Sequence, residues 1–159
     1  MTPYQCLEPF DWAALLGLIQ SEFAGMEGRI DPPSSVHRLT AGSLADPGIE
    51  VWAIGHPPLA CVVLTPKDHA LYLGKLAVAR SHRSRGLARA LIDLAETRAR
   101  ALGLPALELQ TRVELFENHC VFKALGFAET GCTAHPGYAR PTSITFRRPV
   151  RTDPPCSLS

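Results

Sequence analysis

Residues 86–102 constrain this chain more than any other segment. Leu87, Leu91, Leu94, Ala95, Arg98 and Leu102 recur at helical spacing and Gly103 follows as a stop, so the stretch predicts a long helix with one apolar face laid on a sheet. The segment before it narrows the fold further. Residues 70–78 form an apolar, β-rich run, and a short turn rich in arginine separates them from Gly86-Leu87-Ala88. A strand that enters a helix through a basic, glycine-containing turn suits a phosphorylated ligand: the first-turn N–H groups lack partners, and the helix dipole adds partial positive charge there. Gly86 admits close approach of an anion and a positive φ, Ala88 keeps the turn slim, and Arg80, Arg83, Arg85 and Arg89 supply guanidinium groups matched to phosphate oxygens. Taken alone, the same residues also fit a solvated basic face.

The flanking sequence organises around this unit. A short strand near residues 3–7 precedes a helix capped by Asp11, with Trp12, Leu15, Leu16, Ile19 and Phe23 on one face. Residues 25–35 collect Gly28, Pro32 and Pro33 and read as a loop shaping a pocket, followed by a weak helix over 36–44. Three antiparallel strands are expected over 49–54, 59–64 and 70–78, with Gly74 marking a bulge or close approach in the third. After the long helix come a strand over 106–111, a helix over 117–125 ended by Gly126, and two closing strands over 127–132 and 142–146. Their connection contains His135 and Tyr138. The expected organisation is one domain, residues 1–149, and a C-terminal tail, 150–159, with fraying already expected from Arg147.

Composition excludes several classes. The 159 residues, 46% of them hydrophobic, can bury a core without disulfides or metal. A formal charge of +1 gives no overall field toward nucleic acid or an anionic membrane. Five scattered cysteines with no C-x-x-C pair, no signal-like N-terminus and no long apolar run point to a cytoplasmic protein with free thiols. Cys132 and His135 lack a second ligand pair, so no metal is expected, and Cys120 is read on the buried face of its helix.

The run Leu71-Tyr72-Leu73-Gly74-Lys75-Leu76-Ala77-Val78-Ala79, then Arg83-x-x-Gly86-x-Ala88 and a long helix, resembles the cofactor motif of the GNAT acetyltransferase superfamily. Asn118, Phe122 and Leu125-Gly126-Phe127 resemble that family's later segment. The resemblance implies an α/β (α+β) fold: a mixed, mostly antiparallel sheet of about seven strands flanked by helices and split between strands 4 and 5. It implies acetyl-CoA as co-substrate. Main-chain groups of Leu76, Ala77 and Val78 would bind the pantetheine arm, and those of Arg83, Ser84, Arg85, Gly86, Leu87 and Ala88 the pyrophosphate. Asn118 would face the CoA arm, unless it serves as a helix cap, and Phe122 would pack near the sulfur. Many relatives carry Tyr at the position matching Phe122, where it can protonate the leaving thiolate; Phe122 has no proton to give.

The implied reaction is attack of a neutral primary amine, on a small molecule or a protein, at the acyl thioester. Such attack needs proximity, an oxyanion donor and a base. Glu108 on the strand beside the split and Glu27 on the early loop are the candidate bases, and Tyr138 is the candidate acid, each set against an ordinary surface or strand-pairing role. Arg29 is a candidate anchor for an acceptor carboxylate or else a surface charge, and Lys75 reads as a strand-surface charge rather than a nucleophile. A non-catalytic acyl-CoA-binding or sensing module is the alternative reading, and a homodimer is compatible with the resemblance.

Overall fold

The computed structural model describes residues 2–26 and 28–151. Seven strands form one sheet in the order β1-β2-β3-β4-β5-β7-β6. They are β1 (Tyr4–Gln5), β2 (Glu50–Ile54), β3 (Ala60–Pro66), β4 (Leu71–Val78), β5 (Ala106–Arg112), β6 (Ala128–Thr133) and β7 (Ser143–Pro149). Every neighbouring pair is antiparallel except β4 and β5. This is the mixed, mostly antiparallel α/β fold expected from the sequence.

Helix α1 (Trp12–Phe23) starts where expected, with Asp11 Oδ1 accepting from the Ala14 N–H at 3.0 Å. The helix expected over 36–44 is instead two short pieces, a 3-10 turn Ser35–Arg38 and α2 (Ala41–Leu44). Thr40 breaks it. Its side chain accepts from the Ser43 N–H while Ser43 Oγ accepts from the Thr40 N–H, a reciprocal cap that starts a new helix rather than continuing an old one. Helix α3 (Leu87–Ala101) and helix α4 (Phe116–Ala124) match their expected positions closely.

The two faces of the sheet are covered separately. Leu87, Leu91, Ile92, Ala95 and Ala99 of α3 pack with Val62, Leu64, Leu71, Leu73, Leu107 and Phe146 from the strands. On the other face Leu15 and Ile19 of α1 pack with Val51, Ala53, Cys61 and Val63. Alternation along the strands serves both cores because β3 is buried on both faces.

The C-terminal strand runs further than the sequence reading allowed. β7 continues through Arg147 and Arg148 to Pro149, and the Val150 N–H bonds the Pro105 carbonyl at 2.9 Å. Buried Glu96 of α3 draws this segment in: it accepts from Arg148 at 3.0 Å and from Arg151 at 2.9 Å. Charge pairing across elements, invisible as a local pattern, orders what composition alone reads as a fraying end.

Candidate active site

The site originates in an interrupted strand pair. β4 and β5 pair in parallel only at Leu71↔Leu107 and Tyr72↔Glu108. Beyond that point the strands diverge, so the β5-facing backbone groups of β4 lose their ladder partner and line an opening. Into this split opens a cleft of about 900 Å³, walled by Leu73, Gly74, Lys75 and Leu76 on one side and by Leu109, Gln110, Thr111 and Arg112 on the other. Asn118 and Phe122 of α4 line it, as do residues of the loop before α2 and of the β6–β7 connection.

β4 is deformed at the same place. Its register against β3 moves from Cys61↔Ala77 to Val63↔Gly74, so β4 carries an extra residue there. Lys75 takes up the bulge with φ 49, while Gly74 is not among the positive-φ residues. The bulge expected at Gly74 therefore falls one residue later, on a side chain that has a charge to place. Beneath it, the buried Cys61 thiol donates to the Lys75 carbonyl at 3.5 Å, and burial pushes that thiol's pKa up to about 12.

Past β4 a 3-10 turn, Arg80–His82, leads to Gly86, the N-cap of α3, at φ 77 and ψ 12. Ser84 is also left-handed, at φ 64. Among the described residues no acceptor meets the N–H groups of residues 84–89, and the first helical bond runs from Ala90 N–H to the Gly86 carbonyl. A Cβ built on Gly86 would meet nothing within 4 Å, so glycine is needed there for its φ and the space outside is open. Exposed Arg85 and Arg89 flank this donor array. Residues 83–88 do not line the cleft itself; they lie where β4, one of its walls, hands over to α3.

Arg83 is already engaged. Its guanidinium donates to Glu22 Oε2 at 2.7 Å, and the Arg80 N–H donates to Glu22 Oε1 at 3.1 Å. Glu22, on the last turn of α1, thus holds the turn that presents residues 84–89. Sequence reading missed it, although a carboxylate at a helix C-terminus opposes the dipole and signals a partner elsewhere.

The other expected residues distribute unevenly. Asn118 lines the cleft and donates to Thr111 Oγ1 at 3.4 Å, bridging α4 to β5 rather than capping its helix. Phe122 lines it too, stacked edge-on against Phe127 and tilted against Phe146, both at 6.1 Å. Tyr138 reaches the cleft and donates to Asp31 Oδ1 at 2.6 Å, which raises its pKa. Glu108, a candidate base from the sequence, lies away from the cleft. It pairs with Arg147 at 3.4 Å at the closed end of the split. Arg29 pairs with Glu117 at 2.7 Å, outside the lining, and Glu27 lies outside the described residues. Cys120 is exposed and its neighbour His119 is buried, the reverse of the expected facing, because His119 Nε2 bonds the Arg112 carbonyl at 3.0 Å. Among the described residues no group of three His, Cys, Asp or Glu is placed to hold a metal ion.

In the sequence His135 stands out only beside Cys132, as part of a thiol catalyst or a metal site, yet it lines the cleft. Its N–H and its Nδ1 both meet Thr142 Oγ1. When the Thr142 hydroxyl donates to the Thr133 carbonyl at 3.3 Å, Nδ1 carries the ring proton and Nε2 keeps its lone pair. Burial, and then the Arg112 charge, lower the His135 pKa against an opposing pull from Glu114. Among the described residues that line the cleft there is no carboxylate.

Residues 12–127 match the sequence profile described as the acetyltransferase (GNAT) family. No curated protein matches. Among solved structures the chain is similar to the ribosomal-protein-S18-alanine N-acetyltransferase of Escherichia coli, at 19% identity and TM-score 0.69, covering 99% of this chain and 98% of that one. It is similar to an aminoglycoside 6'-N-acetyltransferase complexed with coenzyme A, at 14% identity and TM-score 0.73, covering 98% and 100%. An aminoglycoside 6'-acetyltransferase type Ii is similar at 17% identity and TM-score 0.74, covering 97% and 100%. At these identities the likeness concerns the fold.

Proposed function

The chain belongs to the GNAT acetyltransferase family, and from that premise we propose that it transfers an acetyl group from acetyl-CoA to a primary amine by direct attack. One observation carries the reading: a split, bulged β4 ends at a helix start whose N–H groups have no acceptor among the described residues. The N–H groups of residues 84–88, with Arg85 and Arg89 beside them, suit a pyrophosphate, while the Arg83 N–H is taken by the Arg80 carbonyl. The unpaired edge of β4 at Leu76, Ala77 and Val78 suits an extended amide-bearing arm and offers N–H donors to a thioester carbonyl. Asn118 and Phe122 close the opposite wall.

His135 is the group suited to take the amine's proton. It lines the cleft, its pKa is lowered so that the neutral form prevails at neutral pH, and Thr142 fixes its ring. The amine nitrogen bonds to the acyl carbon, the C–S bond breaks with its electron pair on sulfur, and the proton lost by nitrogen passes to His135. Phe122 cannot protonate the sulfur. Tyr138 supplies a phenol to the same cleft, and it can serve as the acid only after its hydroxyl leaves Asp31.

Calorimetry with acetyl-CoA and thiol release across an amine panel test the proposal. Binding and amine-dependent release are expected, and Gly86→Glu should weaken acetyl-CoA binding by at least roughly 10-fold, about 1.4 kcal/mol. Unchanged affinity in that variant, or no thiol release with any amine, would sink it.

A further inference from the structure

The acceptor side of the cleft holds two cations whose direct hydrogen-bond partners among the described residues are all neutral oxygens. Lys75 reaches from the β4 bulge and Arg112 from the end of β5, on opposite sides of the split, to the same short stretch of the loop before α2. Lys75 Nζ donates to Ser35 Oγ at 3.3 Å. Arg112 donates to the carbonyls of Pro32 at 2.6 Å and Pro33 at 3.1 Å. All of these partners are neutral. The carboxylates that act on Arg112 from a distance are Asp31, which accepts from Tyr138 and Arg140, and Glu114, whose Oε2 accepts from the Asp31 N–H while its buried Oε1 has no hydrogen-bond partner among the described residues. Arg38, exposed, adds a third cation to the lining, where no carboxylate appears among the described residues.

Two partly desolvated cations that face each other across a cleft, each bonded only to neutral oxygens, are an incomplete electrostatic arrangement. Burial and then the Arg112 charge pull the Lys75 pKa below its ordinary value, and an anion seated between the two would oppose that pull. The backbone points the same way. Lys75 sits at φ 49, a left-handed conformation that is unfavourable for a residue with a Cβ, so a charged side chain is held at a position where glycine would be easier.

Resting on the acetyl-transfer reading, we propose that the amine acceptor also carries an anionic group, a carboxylate or a phosphate ester. Lys75 and Arg112 hold that group while the amine faces the split. Arg112, with its planar fork, suits bidentate contact, and Lys75 closes the other side as a point charge. A polycationic acceptor meets like charge in this cleft. The part of the acceptor that enters must also be compact, since about 900 Å³ has to admit both the thioester arm and the amine.

The test compares amines paired by the presence of the anion, with rates expressed per concentration of neutral amine because the carboxamide's amine is the less basic. Initial rates of thiol release are measured with glycine, β-alanine and glutamate against their carboxamides, and with phosphoethanolamine against ethanolamine, which separates carboxylate from phosphate. The anionic member of at least one pair should have the higher kcat/KM by roughly 10- to 100-fold, the range for a hydrogen bond to a charged group. Lys75→Met should collapse that ratio, and Lys75→Arg and Arg112→Lys should retain part of it. A merely structural staple would lower both members of a pair alike, leaving the ratio intact. Equal rates for every pair, or a preference for the uncharged member, overturn the inference while leaving acetyl transfer standing. If no amine is acetylated, acetyl transfer itself is lost. Calorimetric titration of the same pairs into CoA-saturated protein then decides the anion site: tighter binding of the acid supports it, and equal or absent binding of both overturns it.

Discussion

At the scale of single residues, His135 carries the sharpest consequence. Its folded pKa is depressed by burial and by Arg112, so the neutral imidazole persists to lower pH than in an unperturbed histidine. A base of this kind gives kcat an acidic limb with an apparent pKa below 6.5: activity rises as pH rises through that value and then levels. In His135→Gln the limb should vanish and kcat should fall roughly 100-fold or more. An acidic limb that survives unchanged in His135→Gln would remove His135 from the role. The residue was visible in the sequence but its setting was not, because Thr142 and Arg112 reach it through tertiary packing. The same gap explains Glu108, whose strand position was read correctly and whose partner, Arg147, is brought in by β7. Gly86 was the opposite case, since a positive φ at a helix start is a local requirement that glycine announces by itself.

At the scale of elements, α3 was legible because its period, its cap and its stop are all local. The segment over 36–44 was not, because Thr40 and Ser43 cap each other within what reads as a continuous helix. α3 also shows what locality leaves out. Glu96 on its buried face is tied to Arg148 and Arg151 and so fastens the end of β7 to the helix. Burial works against its charge, but hydrogen bonds from Arg151 and the two arginine charges hold its pKa at about 2 against an ordinary 4.5. Because the folded value is the lower one, the stabilisation is complete above the unfolded value and is lost as pH falls from about 4.5 toward about 2. Arg148→Met should cost about 3 kcal/mol in urea unfolding, since it leaves a buried carboxylate with one partner fewer. The deficit relative to the parent should shrink in acid. A loss that stays constant with pH would mean that packing, and not charge, is what Arg148 contributes.

At the scale of the whole molecule, the cleft is a product of the chain's long-range closures, and for that reason sequence reading found its walls without its chemistry. The β4/β5 split followed from the resemblance. The covering loop is instead pinned from three directions that lie far apart in the chain: Arg29 to Glu117 on α4, Arg112 to the Pro32 and Pro33 carbonyls, and Tyr138 to Asp31. These links make Tyr138 a clasp as well as a candidate acid, and the two roles separate experimentally. Tyr138→Phe removes the hydroxyl and keeps the ring. If the hydroxyl is mainly a clasp, amide hydrogen exchange in residues 28–35 speeds up several-fold, KM for the amine rises, and Asp31→Asn has a similar effect on both. If it protonates the leaving thiolate, kcat falls roughly 100-fold or more while Asp31→Asn, which frees the phenol, leaves kcat equal or higher. The bond to Asp31 raises the Tyr138 pKa and already occupies its proton, so the first outcome is expected. Loss of kcat in Tyr138→Phe with unchanged exchange in the loop would reverse that assignment and make the phenol the group that compensates for Phe122.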